Sequence, residues 1–260
     1  MNFFLETLQV IILSFWYNLE SLFFFLVPRK KKNISGEVVL ITGAGSGIGR
    51  LMAREFAALG TVLVLWDINE EGVKETARII KSSGASRVHC FVCDCSDKKE
   101  VYRVAEQVKR EVGDISILVN NAGIVTGKKF MDSPDSLIEK TMEVNTMAHF
   151  WTYKAFLPAM IANNHGHLVS IASSAGLIGV NGLAAHKWPR VLPILNAEIV
   201  AKKIIHAVLT DQVYLLLPKS MYFIAGLKNI LPMKQGLLLG QYLGAFNLMD
   251  TFRGRSKKQE

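Results

Sequence analysis

The sequence predicts a doubly wound α/β fold, a parallel sheet with helices on both faces. Three observations predict it. Short, continuously apolar runs alternate with amphipathic helical stretches between Val38 and Ala172. The first run opens into a glycine-rich turn and then a helical pattern. The second run ends in an acid, Asp67, at the distance such a turn requires.

In chain order, strand one reads Val38–Thr42 and its helix runs near Ile48–Leu59. Strand two is Thr61–Trp66, followed by a helix over about Glu70–Ser82. Strand three, Arg87–Val92, leads to a turn at Asp94 and a helix near Lys98–Val112. Strand four, Ile115–Asn120, ends in Asn121-Ala122-Gly123, and a long helix then covers much of Ser136–Asn163. Strand five is His167–Ala172, followed by Ser173. A further helix is expected over Ala197–Leu209 with Asn196 as its cap, and a last strand over Gln212–Leu217. Ligands of such sheets gather at the carboxyl ends of the strands.

The turn itself is Thr42-Gly43-Ala44-Gly45-Ser46-Gly47-Ile48-Gly49. Backbone N–H groups from Ser46 to Gly49 would face a pyrophosphate at the positive end of the helix. Gly43 allows the tight turn, and Gly47 and Gly49 allow close approach of phosphate and neighbouring strand. The Asp67 carboxylate falls where adenosine ribose hydroxyls would lie and would repel a 2′-phosphate, so NAD is expected over NADP. This is a Rossmann-type dinucleotide signature.

The 260 residues suffice for one large domain. Half are apolar, and the net charge is +8, with basic clusters at Arg29–Lys32 and at Arg253, Arg255, Lys257 and Lys258. Basic clusters beside apolar segments fit an anionic membrane surface. No aromatic–basic interleaving points to nucleic acid. Residues 3–27 form an apolar helix interrupted by Glu6 and Glu20, able to span a bilayer or lie along it. No Lys or Arg precedes Arg29, and the charge that follows places the main domain on the cytosolic side. Cys90, Cys93 and Cys95 lie at the end of strand three without a second ligand cluster, so reduced thiols are expected rather than a metal site. The organisation is therefore a hydrophobic anchor over 1–28, a basic linker over 29–36, a dinucleotide-binding domain over 37–217, and an apolar then basic tail over 218–260.

Taken together, Thr42-Gly43-x-x-x-Gly47-x-Gly49, Asp67, Asp94, Asn120-Asn121-Ala122-Gly123, Asn145 in Val144-Asn145-Thr146, and Ser173 resemble the short-chain dehydrogenase/reductase family. The apolar N-terminus with its basic stop, and Ala172 to Gly179, look like its membrane-bound epidermal retinol dehydrogenase branch. The resemblance implies hydride exchange between a nicotinamide dinucleotide and a lipophilic alcohol or carbonyl such as retinol or retinaldehyde. It implies an endoplasmic reticulum or lipid-droplet membrane. Ser173 would hydrogen-bond the substrate oxygen, with Ser174 one residue off register, and Asn145 would hold a relay water.

The pattern breaks after Ala185. The family places a Tyr thirteen residues after its Ser and a Lys four residues later; here those positions are His186 and Arg190. None of the six tyrosines has a Lys four positions on. Pro189 and Pro193 forbid a regular helix there, so His186 could replace the proton donor only from an unsuitable backbone. A helix–strand block reads as deleted near Trp188, which leaves a non-catalytic, membrane-attached dinucleotide-binding protein as the rival reading. It also leaves strand five as an open edge unless the last strand pairs with it.

Overall fold

A computed structural model describes residues 3–27, 29–84, 87–125, 132–173, 195–228 and 235. Five parallel strands lie in the order β3-β2-β1-β4-β5. They are β1 (Val38–Thr42), β2 (Val62–Asp67), β3 (Val88–Val92), β4 (Ile117–Asn120) and β5 (His167–Ser170). The inner strands β1, β2 and β4 are apolar over most of their length because both faces are buried, whereas the edge strands β3 and β5 are partly exposed. On one face, Val39, Ile41, Leu63, Leu65, Ile117 and Val119 pack against α2 (Gly47–Ala58), α3 (Glu70–Ser82) and a later helix, α7 (Ala197–Leu209). On the other, Leu40, Val64, Trp66 and Leu118 meet α4 (Lys98–Glu111) and α6 (Ala148–Ala162). Trp66 and Phe156 pack ring on ring across that second layer, with centroids 5.7 Å apart.

The expected long helix forms as α5 (Asp135–Met142), a π-helical stretch Glu143–Met147, and α6. The helix over Ala197–Leu209 forms as expected, with the Asn196 side chain accepting from the Glu198 and Ile199 amides. It lies against α2 on the first face of the sheet.

One expectation needs correction, and one open alternative is narrowed. The strand over Gln212–Leu217 does not form; that stretch is a loop held from the next helix, α8 (Ser220–Lys228). The Tyr222 hydroxyl donates to the Tyr214 carbonyl at 2.8 Å and accepts from the Leu216 amide at 3.1 Å. Side-chain capture of those backbone groups removes the reason to pair with a sheet. Among the described residues β5 is therefore the edge of the sheet, as the loss of a following strand implied. The N-terminal helix, α1 (Phe3–Leu26), forms, but no helix among the described residues is long and apolar enough to cross a membrane. The two carboxylates, Glu6 and Glu20, sit within it.

Candidate coenzyme site

The strand order reverses between β1 and β4, so a crevice opens above their carboxyl ends. The glycine turn leaves β1 there. Gly43 and Gly47 have φ of +67° and +56°, the left-handed region that a side chain makes costly. Ser46 stands at the N-cap position of α2, and Gly47, Ile48 and Gly49 form its first turn. Their amides point away from the helix body, where α-helical geometry leaves them without intrahelical acceptors.

The turn is fixed by close packing. A Cβ on Gly49 would lie 2.1 Å from the Gly43 carbonyl oxygen, and one on Gly43 would lie 2.9 Å from Ala122 Cα. A Cβ on Gly47 would meet nothing within 4 Å, so the space beside its Cα is open. The second turn is bolted to the first. The Thr42 hydroxyl accepts from the Asn121 and Ala122 amides at 3.0 Å each, and Asn121 Nδ2 donates to the Thr42 carbonyl at 2.9 Å. Gly123 faces Asn145, whose Oδ1 would stand 3.4 Å from an added Cβ.

Asp67 ends β2 beside this turn. Its Oδ2 accepts from the Gly45 amide at 2.8 Å and its Oδ1 from the Asn69 amide at 2.9 Å. Arg50 braces the same corner, donating to the Gly45 carbonyl and from Nε to Thr76 Oγ1 at 2.9 Å. Sequence reasoning missed Arg50, although its place one residue after the glycine motif was visible.

Asp94 follows β3. Burial opposes its ionisation, but the hydroxyl and amide of Ser96 and the ammonium of Lys140 outweigh burial and hold the carboxyl below its ordinary value. Lys140 reaches it from α5 at 3.0 Å. A carboxyl that titrates lower when folded adds stability above the ordinary value of about 4, and that stability is lost as pH falls through the folded value. Lys140→Met is therefore expected to cost less than about 1 kcal/mol at neutral pH, the pair being partly exposed. The cost should vanish in acid strong enough to protonate Asp94. Urea unfolding of both proteins at neutral and acid pH checks it. Behind Asp94, Cys93 and Cys95 are buried, and the hydrogen bond between their thiols together with burial pushes the Cys93 thiol upward.

Asn145 lies in the π-helical stretch, 21 residues from its partner in sequence. Its Oδ1 accepts from the Ile124 amide and its Nδ2 donates to the Ile124 carbonyl, both at 2.8 Å. The oxygen and the nitrogen of the side-chain amide are thus each engaged with the backbone after β4. Ser173 lies three residues beyond the end of β5, exposed at the carboxyl end of the sheet. Ser174, His186 and Arg190 lie outside the described residues. A further polar group escaped the sequence reading: Tyr153 Oη lies 2.6 Å from Ser170 Oγ, which lies 3.4 Å from His149 Nδ1. Burial holds the His149 imidazole below its ordinary pKa. Only the one-turn spacing of His149 and Tyr153 was readable. Eight residues of helix, about 12 Å, separate Tyr153 from Asn145.

A model of the short chain dehydrogenase family matches residues 37–187. The chain belongs to this family. The match ends one residue after His186, where the sequence pattern breaks. Short-chain dehydrogenase relatives extend beyond it. Mouse epidermal retinol dehydrogenase 2 is 51% identical over 286 residues, covering 92% of this chain and 93% of its own. Human estradiol 17-beta-dehydrogenase 11 is 42% identical over 275 residues, covering 89% of this chain and 91% of its own. Both alignments are longer than the 260-residue chain itself, so tens of residues in each relative have no counterpart here. That agrees with a lost block after strand five. Among solved short-chain dehydrogenases, one from Burkholderia phymatum in complex with NAD superposes with a TM-score of 0.54 at 30% identity. The superposition covers 67% of this chain, which spans 58% of that chain's length.

Proposed function

We propose that this chain is a nicotinamide-dinucleotide-binding oxidoreductase of the short-chain dehydrogenase type, built for a lipophilic alcohol and its carbonyl, with retinol and retinaldehyde as the substrate pair. The observation that carries the proposal is the locked pair of turns, Thr42–Gly49 and Asn121–Gly123, with open space beside the Gly47 Cα. These residues fit a dinucleotide: Ser46 to Gly49 would take the pyrophosphate, Asp67 the adenosine ribose, and Asp94 and Asn121–Gly123 the adenine side and the pocket wall. The carboxylate of Asp67 favours NAD over NADP. A bound nicotinamide supplies or accepts the hydride. Ser173 would hydrogen-bond the substrate oxygen. Because Oδ1 and Nδ2 of Asn145 already bond Ile124, a relay water would rest on its main-chain carbonyl. Attachment of α1 to a cytosol-facing membrane of the endoplasmic reticulum or a lipid droplet would bring the domain to a substrate dissolved in lipid.

A second reading has its own observation. No Tyr-x-x-x-Lys pair occurs in the sequence, which favours a membrane-attached protein that binds the dinucleotide and moves no proton. One assay separates the two. NADH absorbance is followed with retinaldehyde in lipid, using the chain and His186→Ala. Turnover abolished by that substitution supports the enzyme with a substitute proton donor. Quenching of tryptophan fluorescence by NADH without turnover supports the binding protein. Absence of any dinucleotide affinity sinks both.

A further inference from the structure

We propose that the Gln212–Phe223 segment is a second lipid-contact surface, which lies on an anionic phospholipid layer beside α1 and fixes how the domain faces it. The proposal rests on the reading of α1 as membrane-attached.

The first ground is where the chain goes after α1. The basic linker does not leave the domain freely. The Lys32 amide donates to the Leu209 carbonyl at 2.8 Å, and Lys32 Nζ donates to Asp211 Oδ1 at 2.6 Å. The same ammonium lies 3.2 Å from His167 Nδ1. The exit of α1 is thereby fastened to the turn that ends α7. The Gln212–Phe223 segment begins at that turn, so whatever surface holds α1 lies close to it.

The second ground is what the segment presents. Val213, Tyr214 and Phe223 are 85%, 76% and 69% exposed, and Tyr222 is 44% exposed. Large apolar side chains cost free energy in water, and a cluster of them at one place marks a contact surface. Their display is built, not slack. Gln212 Nε2 donates to the Tyr214 carbonyl at 2.7 Å and to the Tyr222 hydroxyl at 3.2 Å, which closes the loop onto α8. Met221, beside them in sequence, is buried and ties α8 to the domain.

The third ground is charge. Arg29, Lys30, Lys31 and Lys219 are exposed around this region, and the acid beside them, Asp211, is paired with Lys32. Exposed aromatic and aliphatic side chains beside exposed cations match an interfacial lipid site better than a protein groove.

The test uses the full chain and vesicles of phosphatidylcholine with phosphatidylserine, carrying a photoactivatable phospholipid. Label is expected in peptides from α1 and from residues 212–223. Val213→Ser with Phe223→Ser is expected to lower vesicle partitioning about fivefold while leaving the thermal midpoint and NADH binding in place, since both side chains are exposed. Replacing phosphatidylserine by phosphatidylcholine should weaken the wild type as well. Label confined to α1, with unchanged partitioning of the double variant, overturns the second contact and leaves the attachment of α1 standing. Absence of label and of partitioning altogether overturns both. A dimer in lipid-free solution that the double variant abolishes, with no label at 212–223, assigns the patch to a second copy instead.

Discussion

Gly49→Ala is expected to lower the thermal midpoint by roughly 3–10 °C and to weaken NADH binding about tenfold or more. The added methyl would stand 2.1 Å from the Gly43 carbonyl oxygen and 2.7 Å from Asn121 Nδ2. The first neighbour is backbone and cannot swing aside. The second holds the two turns together through the Thr42 carbonyl. Relief therefore requires α2 to move away from the end of β1, and the amides of its first turn go with it. Gly47→Ala makes the instructive contrast. Nothing stands within 4 Å of its added methyl, so its stability cost is only the left-handed backbone, about 1–2 kcal/mol. Yet the methyl would occupy the open space beside Gly47, at the turn where a pyrophosphate would approach. The two variants should differ in stability and agree in lost coenzyme affinity, as read by thermal unfolding and tryptophan quenching. A Gly49→Ala protein that binds NADH like the wild type would place the coenzyme somewhere else.

The contrast shows which part of the site was open to sequence reasoning. Glycines at fixed offsets, an acid ending β2 and the Asn121–Gly123 turn are local features, set by strand, turn and helix geometry within a few residues. They came out where the pattern put them. So did α7, because Asn196 caps its own helix. The grip of Asn145 on Ile124 was not legible, since it joins residues 21 apart that only the packing of α6 against the sheet brings together. The association of Tyr153, Ser170 and His149 was hidden for the same reason.

The misread strand over Gln212–Leu217 teaches a different point. Val213-Tyr214-Leu215-Leu216-Leu217 has a strand's composition, but composition does not supply a neighbour. The backbone groups of this stretch found side-chain partners in Gln212 and Tyr222; Val213 and Tyr214 became surface while Leu215 packs against the core. The open edge at β5 among the described residues and the exposed loop are what the sequence reading of a lost helix–strand block leads one to expect. β1, β2 and β4, which frame the candidate coenzyme crevice, lie before that block and pair in register through residues such as Leu40 with Val64 and Leu118.

That division makes coenzyme selectivity the most direct chemistry to test, because it depends on residues outside the missing block. Asp67→Asn is expected to change the NADH-to-NADPH affinity ratio by roughly tenfold or more, mostly through tighter NADPH binding. The substitution keeps size and one acceptor oxygen, so the bond to the Gly45 amide or that to the Asn69 amide can survive. What it removes is the charge. A carboxylate at the end of β2 stands where a 2′-phosphate would bring nearly two more negative charges, and that repulsion is what the amide relieves. The loss of one backbone bond should cost about 1 kcal/mol of stability, separable from binding by thermal unfolding. NADH affinity should fall as well, since a neutral amide is a weaker acceptor for ribose hydroxyls than a carboxylate. Titration of each coenzyme against wild type and variant gives the four affinities needed. A wild type that already prefers NADPH, or a variant whose ratio stays put, would mean that the adenosine ribose does not sit against Asp67.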